Sequence, residues 1–336
     1  MSESTTQLSD TPIQIVDRPV RRRSGRLFRL VHRLAYQTWN NPIVIKELRG
    51  RMRGWRAAVV LIVHLLLMSC FASFIYFVVA ESTTSGGSGA VGQTIGQALF
   101  YSSYLMLLVV VVFLSPAFTA GAISGERERQ TLDLLMTTLL PTHSLVVGKL
   151  ISSLAYIGLL ILAALPIQSL AFVFGGVILP ELLIGTLLLF VTALISGTVG
   201  LFISSLIKSS IASTVITYAV ILLTTMGLPV VAGITLGFLN SMLNSLMSNL
   251  GWIGELLLLY GGGFLLCTNP FATAITTKIV EEEHKSLFFF TVNISSGSVS
   301  FNAPVVSPWV VYTLFYGVCS ALLILISVLI LRRKRG

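Results

Sequence analysis

The sequence contains little charge. Only 10% of its 336 residues are Asp, Glu, Lys or Arg, 54% are apolar, and the mean hydropathy is +0.90. A soluble domain carries roughly a quarter of its residues as charged side chains. The composition therefore excludes an ordinary soluble protein and predicts a chain that is solvated by lipid.

Residues that form metal and catalytic sites are also scarce. The cysteines Cys70, Cys267 and Cys319 stand singly in or beside apolar runs, and the four histidines form no recognisable catalytic set. There is no GxxxxGK[ST] phosphate loop, since Gly148-Lys149 is followed by leucine. We therefore expect no catalytic residue, no metal site and no cofactor on this chain, which is not predicted to be an enzyme.

Six apolar runs are long enough to cross about 30 Å of hydrocarbon as helices. Lipid offers backbone groups no hydrogen-bond partner, so each run must be helical. The sequence thus predicts an all-α polytopic membrane protein. Its transmembrane helices are expected at residues 57–80, 96–123, 145–174, 182–207, 211–238 and 309–331.

The basic residues predict the orientation of these spans. Of the 22 Lys and Arg residues, 20 fall before the first span, between the second and third, between the fourth and fifth, or after the sixth. Basic loops stay in the cytoplasm. We expect both termini in the cytoplasm and the protein in the cell (inner or plasma) membrane.

The segment between the fifth and sixth spans is ambiguous. Its apolar stretch at residues 252–267 is short and contains three consecutive glycines. Helices at or dipping into the outer face are favoured, although two further crossings would preserve the orientation. We interpret the region 239–307 as an extracytoplasmic or re-entrant insert, with polar loop at residues 281–285 and 291–307.

Two elements are expected on the cytoplasmic face before the first span. Residues 1–34 form a basic tail that is predicted to be disordered and attracted to anionic lipid. Residues 41–56 then predict a basic amphipathic helix, because Asn41 is a suitable N-cap and Pro42 suits the first helical position. This helix is either a passive membrane anchor or a lever that moves with a cytoplasmic partner.

The connection between the second and third spans predicts a second amphipathic helix. Leu132, Leu135, Met136 and Leu139 recur at helical spacing, and Pro141 ends the pattern. Glu126 and Arg129 are spaced for an ion pair on one helix face. A charged tip with an apolar stripe suits a groove on another protein, or the stripe rests on the membrane.

At these residues the chain resembles the permease subunit of ABC-2 type (type V) ABC exporters. The similarity lies in Lys46-Glu47-Leu48 on an Asn-Pro-initiated helix, and in Gly125-Glu126-Arg127-Glu128 followed by Gln130-Thr131-Leu132. In that family the first element is the connecting helix and the second the coupling helix. The resemblance covers about residues 35–332, so 35–336 is expected to form one permease domain.

The resemblance implies a transport subunit whose ATPase is a separate chain. Two permeases would pair as a homo- or heterodimer, and ATP with Mg²⁺ would bind on the partner ATPase. It also implies contact roles for two groups of residues. The ATPase-coupling residues are Glu126, Arg127, Glu128, Arg129, Thr131 and Leu132, supported from the connecting helix by Lys46, Glu47 and Arg49.

Two other classes of function stay open at the level of the sequence. One is a secondary carrier or channel that acts alone, which the scarcity of ionisable groups in the spans weakens, His64 being the only obvious one. The other is a membrane scaffold that anchors an ATPase without transport. No feature points to a nucleic acid, and membrane lipid is the expected surrounding.

Overall fold

The structure is a computed structural model. It describes residues 48–50, 54–83, 91–132, 141–227, 229–230, 252–284, 286–296 and 299–333. The predicted basic tail and most of the predicted connecting helix lie outside these residues. Within 41–56, the backbone is helical at residues 48–50 and again at 55–56, where the first long helix begins.

The described elements are mostly α-helices. In chain order they are α1 (Trp55–Thr83), α2 (Val91–Thr119), α3 (Ser124–Glu128), α4 (Thr142–Val173), α5 (Leu179–Leu206), α6 (Ser210–Leu222), α7 (Trp252–Leu257), α8 (Gly263–Cys267), α9 (Pro270–His284), β1 (Phe289–Ser296), β2 (Val299–Val306) and α10 (Pro308–Arg333). Short π-helical segments, Leu223–Gly227 and Leu258–Gly262, continue α6 and join α7 to α8.

Within the described ranges, six helices are long and apolar enough to cross a membrane, which confirms the predicted all-helical polytopic fold. They are Ala57–Ser82, Val91–Glu128, Thr142–Val173, Leu179–Leu206, Ser210–Gly227 and Pro308–Arg333. The apolar helical stretch Trp252–Cys267 is shorter than these spans. The fifth span was predicted to reach residue 238, and the part beyond residue 230 lies outside the described residues.

The core of the bundle is formed by α2, α4 and α5, whose apolar stretches are half buried, whereas α1, α6 and α10 expose most of theirs. Small residues bring α2 and α5 close together. The Ser115 hydroxyl donates a 2.7 Å hydrogen bond to the Ala193 carbonyl, and a Cβ on Gly200 would lie 2.3 Å from the Thr119 hydroxyl. In lipid, helices associate through such close packing rather than through the hydrophobic effect.

The turn from α4 to α5 packs against the start of α2. Gly175 adopts a positive φ of 73°, and the backbone N–H groups of Gly175 and Gly176 donate to the carbonyls of Phe172 and Ala171. This is the glycine-terminated Schellman ending of a helix. A Cβ on Gly176 would lie 2.3 Å from the backbone nitrogen of Gln97, so the two backbones touch directly.

The region between α6 and α10 differs from its prediction in two places. The stretch 281–285 was predicted to be loop, but Glu281–His284 form the last turn of α9. The stretch 291–307 was also predicted to be loop, but it contains most of an antiparallel hairpin in which Phe289 pairs with Val306. Its Ser and Asn residues suggest a loop by composition, whereas Val292, Ile294 and Phe301 supply alternating apolar positions typical of a strand.

The bundle has two ends that carry different chemistry. At the first end, α3 contacts the start of α4, the end of α5 and the start of α6; this end is called the Glu126 end. At the other, the hairpin end, β2 leads into α10, where the Trp309 indole donates a 2.7 Å hydrogen bond to the Leu287 carbonyl.

Candidate functional site

The segment predicted to couple to a partner is fixed to the bundle at its first residue. Four residues of turn separate α2 from α3, and Ile123 at the start of α3 has no capping side chain of its own. The Ser204 hydroxyl on α5 accepts 2.9 Å hydrogen bonds from the N–H groups of Ile123 and Ser124. These N–H groups have no carbonyl partner within α3, so α5 caps it from outside.

Glu126 forms the only ion pair at this end among the residues that the structure describes. Its carboxylate lies 3.1 Å from the Lys149 ammonium of α4, and the two side chains are 29% and 5% exposed. The Thr131 hydroxyl donates to the same carboxylate and, at 3.1 Å, to the Glu126 carbonyl. A lysine buried to this extent requires a counter-charge, and Glu126 supplies it.

Arg127 ties α3 to the end of α5. Its guanidinium donates two 3.3 Å hydrogen bonds, one to the Ser205 carbonyl and one to the Ile207 carbonyl. These carbonyls belong to the last residues of α5 and the residue after it, where a helix leaves its C=O groups unpaired. A cation is favoured there by the helix dipole as well.

Glu128 makes the complementary contact with the start of α6. Its carboxylate oxygens accept a 2.8 Å hydrogen bond from the Ser210 backbone N–H and a 2.7 Å bond from the Ser210 hydroxyl. An anion at the first residue of a helix satisfies free N–H groups and the positive end of the dipole. Three consecutive charged residues thus reach three different helices.

The predicted continuous coupling helix is wrong at residues 129–130. After Glu128 the chain makes a turn in which Gln130 has a positive φ of 57°, a left-handed conformation that ends an α-helix. The predicted pairing of Glu126 with Arg129 across one helix is replaced by the Lys149 pair, while Arg129 is exposed. The Thr131 hydroxyl competes with the helical hydrogen-bond pattern by bonding back to Glu126.

Leu132, the first member of the predicted apolar stripe, is buried in the bundle at 8% exposure. It belongs to an apolar cluster at the Glu126 end with Ile123, Leu145, Val146, Leu150, Leu201 and Leu331. The stripe residues Leu135, Met136 and Leu139 lie outside the described residues. So do Lys46 and Glu47 of the connecting helix, whereas Arg49 is exposed on helical backbone.

Three residues of this network were given no contact role from the sequence. Lys149 was predicted to be a cytoplasmic basic residue and belonged to the Gly148-Lys149 pair of the family resemblance, and Ser204 and Ser210 were given no role. The signal for Lys149 was its position inside an apolar run, since a charged residue there needs a partner of opposite sign. Single serines in membrane helices carry no comparable signal, because most bond to their own helix, as Thr214 does to Ser210.

The site offers charged and hydroxyl groups but no metal-binding cluster. Among the described residues, no group of three or more His, Cys, Asp or Glu side chains could hold a metal ion.

The family model of the ABC-2 family transporter proteins matches residues 41–253 of the chain. The chain belongs to this family. No curated protein matches the sequence.

The family assignment makes the chain a membrane permease of an ABC transporter with multiple spans. The match includes α1 to α6 and the whole Glu126 network, and it ends within α7. Helices α8 and α9, the hairpin and α10 follow the matched region. The contacts of Glu126, Arg127 and Glu128 with α4, α5 and α6 therefore lie wholly within the region that the family model matches.

Proposed function

We propose that this permease forms half of an ATP-driven exporter and that a separate ATPase subunit acts on it through residues 125–132. ATP and Mg²⁺ would bind on that ATPase. A second permease, identical or different, would complete the transport unit. The cargo pathway would then run between the two permeases, lined in part by α2 and α6.

One observation supports this proposal most strongly. Glu126, Arg127 and Glu128 are three consecutive residues that contact α4, the end of α5 and the start of α6, respectively. Because α3 follows α2 after one short turn, a force on this segment would reach four spans at once. A transporter driven from outside the membrane needs such a junction.

The predicted site residues divide into two groups in this proposal. Glu128 and Arg129 are exposed and suit direct contact with the ATPase. Glu126, Arg127, Thr131 and Leu132 are partly or largely buried, and they would pass the movement into the bundle. Lys46, Glu47 and Arg49 of the connecting helix would support the contact from the same face.

The orientation follows from the same junction. An ATPase is cytoplasmic, so the Glu126 end would face the cytoplasm together with both termini, as the distribution of basic residues predicts. The hairpin end would face the outside of the cell or plasma membrane. Transport from the first end to the second would be export.

The experiment is co-purification with an ATP-binding partner. The tagged chain is extracted mildly from its native membrane, and bound ATPase is detected by photolabelling with azido-ATP. Arg129→Glu reverses an exposed charge and should abolish the labelled partner. Arg333→Glu makes the same change at an exposed position of α10 and should leave the partner bound.

A second variant separates contact from transmission. Glu126→Gln removes the charge of a partly buried side chain, so the ATPase should still bind while its stimulation by the permease falls. If no labelled partner accompanies the wild-type chain in several mild detergents, the proposal is wrong and ion-driven transport becomes the hypothesis to test. A partner lost equally with Arg129→Glu and Arg333→Glu would contradict the specific role of residues 125–132.

A further inference from the structure

A small cleft with both apolar and polar lining residues lies at the hairpin end, where α2, α5 and α9 meet. Its volume is about 20 Å³, the space of roughly one water-sized group. Tyr104 comes from α2, Glu181 from α5, and Thr277, Lys278 and Glu281 from α9. None of these residues belongs to the Glu126 network, and the proposed function does not use the cleft.

Three oxygen atoms lining this cleft have no hydrogen-bond partner within the described part of the chain. They are the Tyr104 hydroxyl, the Thr277 hydroxyl and Glu281 Oε1. Tyr104 and Thr277 are only 4% and 5% exposed, so bulk water does not solvate them freely. A buried polar atom without a partner is costly, and three around one cleft indicate that something else occupies it.

The charges around the cleft favour a cation. Burial, and to a smaller extent the nearby Glu181 carboxylate, raises the pKa of the Glu281 carboxyl to about 7. Lys278 does not form an ion pair with Glu281. Its ammonium lies 4.2 Å from the centre of the Tyr101 ring and 3.6 Å from the Glu282 carboxylate.

Titratable groups from all three packed helices surround the cleft. Helix α2 contributes Tyr101 and Tyr104, α5 contributes Glu181, and α9 contributes Lys278, Glu281 and Glu282. Glu181 also accepts a 3.4 Å hydrogen bond from the Ile178 N–H at the start of α5. Lys278 interacts electrostatically with Glu181 as well as with Glu282, so the Glu181 and Glu281 carboxylates lie beside a single ammonium group.

We propose that this cleft binds a small monovalent cation through oxygen atoms of Glu181, Glu281, Thr277 and Tyr104. Carboxylate and hydroxyl oxygens are hard ligands, so they suit an alkali-metal or ammonium ion rather than a transition metal. Two carboxylates beside an ammonium group provide less negative charge than Ca²⁺ sites usually do. A monovalent ion matches this charge.

Binding would link two parts of the chain. Tyr104 and Glu181 lie within the region that the family model matches, whereas Thr277 and Glu281 lie after it. A bound cation would therefore hold α9 against α2 and α5. We expect it to raise thermal stability and to compete with a proton for Glu281.

The test uses the full chain, purified in mild detergent, with ²²Na⁺ and ⁸⁶Rb⁺ as probes. At pH 8 we expect saturable binding of at least one tracer, displaced by small cations and not by choline. At pH 6 the apparent affinity should be roughly 10-fold weaker, because protonation of a carboxyl with a pKa about 7 competes with the ion. Failure of both tracers to bind saturably would overturn the proposal.

Two variants on α9 test whether cation binding depends on Glu281 itself. Glu281→Gln should abolish binding, and it should fold because the amide resembles the protonated carboxyl. Glu283→Gln removes an exposed carboxylate two residues away and should bind normally. Unchanged binding in Glu281→Gln would overturn the proposal.

Stability measurements distinguish the ion from a proton or water. Because folding raises the pKa of the Glu281 carboxyl, the folded protein becomes less stable as the pH rises from the pKa of this carboxyl in the unfolded chain towards its folded value of about 7. If melting temperature falls over this range in the wild type but not in Glu281→Gln, and Na⁺ and Rb⁺ change neither curve, a proton alone neutralises the cleft and the cation site is wrong. Restoration of the wild-type melting temperature by Na⁺ or Rb⁺ at pH 8 supports it.

Discussion

The two ends of the permease differ in how their polar side chains are paired. At the Glu126 end, Glu126, Arg127 and Glu128 each have a partner on another helix. At the hairpin end, the Glu281 carboxylate, with Thr277 and Tyr104, has buried oxygen atoms that none of the described residues hydrogen-bonds. The first arrangement joins helices directly, whereas the second leaves a space between them.

The difference indicates different roles for the two ends. A buried polar atom left without a partner costs about 1–3 kcal/mol, so satisfied groups tend to fix a structure. The Glu126 end therefore forms one connected set of contacts, as the proposed transmission of movement requires. The hairpin end has close backbone contacts and a cleft with oxygen atoms that no described residue hydrogen-bonds.

The largest expected loss of stability tests whether the close backbone contact at Gly176 holds the hairpin end together. Gly176→Ala would place a Cβ 2.3 Å from the Gln97 nitrogen and 2.7 Å from the Gln93 carbonyl. Backbone atoms cannot move aside as a flexible side chain does. We expect the free energy of unfolding to fall by about 3 kcal/mol or more, at the upper end of overpacking costs, as measured by thermal unfolding in detergent.

Gly317 on α10 provides the matched control. No atom lies within 4 Å of a Cβ built there, so Gly317→Ala should leave stability unchanged or raise it by up to about 1 kcal/mol through helix propensity. A similar loss in both variants would mean that the close approach of Gly176 to α2 does not hold the hairpin end together.

The next effect tests the ion pair of the Glu126 end. Glu126→Gln removes the counter-charge of a Lys149 side chain that is 5% exposed, whereas Lys149→Met leaves a Glu126 carboxylate that is 29% exposed and bonded to Thr131. We expect the first change to cost about 3 kcal/mol and the second about 1 kcal/mol. Thermal unfolding of both variants measures the asymmetry.

The double variant shows whether the two residues act as a pair. Glu126→Gln with Lys149→Met removes both charges, so the combined loss should be smaller than the sum of the single losses. Strictly additive losses would show that the 3.1 Å contact carries no coupling energy. The Glu126 end would then resemble the hairpin end more than its geometry suggests.

Much of the fold could be predicted because lipid imposes simple rules. The six spans were placed from runs of apolar residues, and the first four and the last agree with the helices to within about five residues at each end. The polar segment that begins at Glu126 could also be predicted, because its charged residues separate the second apolar run from the third. Its resemblance to the permease family agrees with the family match over residues 41–253.

The contacts of the site could not be predicted in the same way. Periodicity within residues 126–139 indicated one helix, but the Thr131 hydroxyl and the left-handed Gln130 end it after Glu128. The partner of Glu126 lies 23 positions along the chain, and the partner of Glu128 lies 82 positions along it. Spacing rules on a single helix do not extend to neighbours of this kind. The cleft combines residues from three helices, and no local motif marks it.

The smallest expected effect concerns the exposed edge of the Glu126 network. Glu128 is exposed, and its carboxylate caps α6 through the N–H and the hydroxyl of Ser210. Ser210→Ala removes one of these two hydrogen bonds and keeps the backbone bond. Thermal unfolding should show a loss smaller than that of Glu126→Gln.

Salt separates this contact from the buried ion pair. At about 1 M salt the Debye length is about 3 Å, so the attraction between an exposed carboxylate and a helix N-terminus is largely screened. The effect of Glu128→Gln should therefore shrink as salt is raised, whereas that of Glu126→Gln should persist. Equal salt dependence in the two variants would mean that the Lys149–Glu126 pair is as open to solvent as the cap of α6. In that case burial at the Glu126 end would not explain how the segment is held, and direct contact with a partner would have to supply the rigidity.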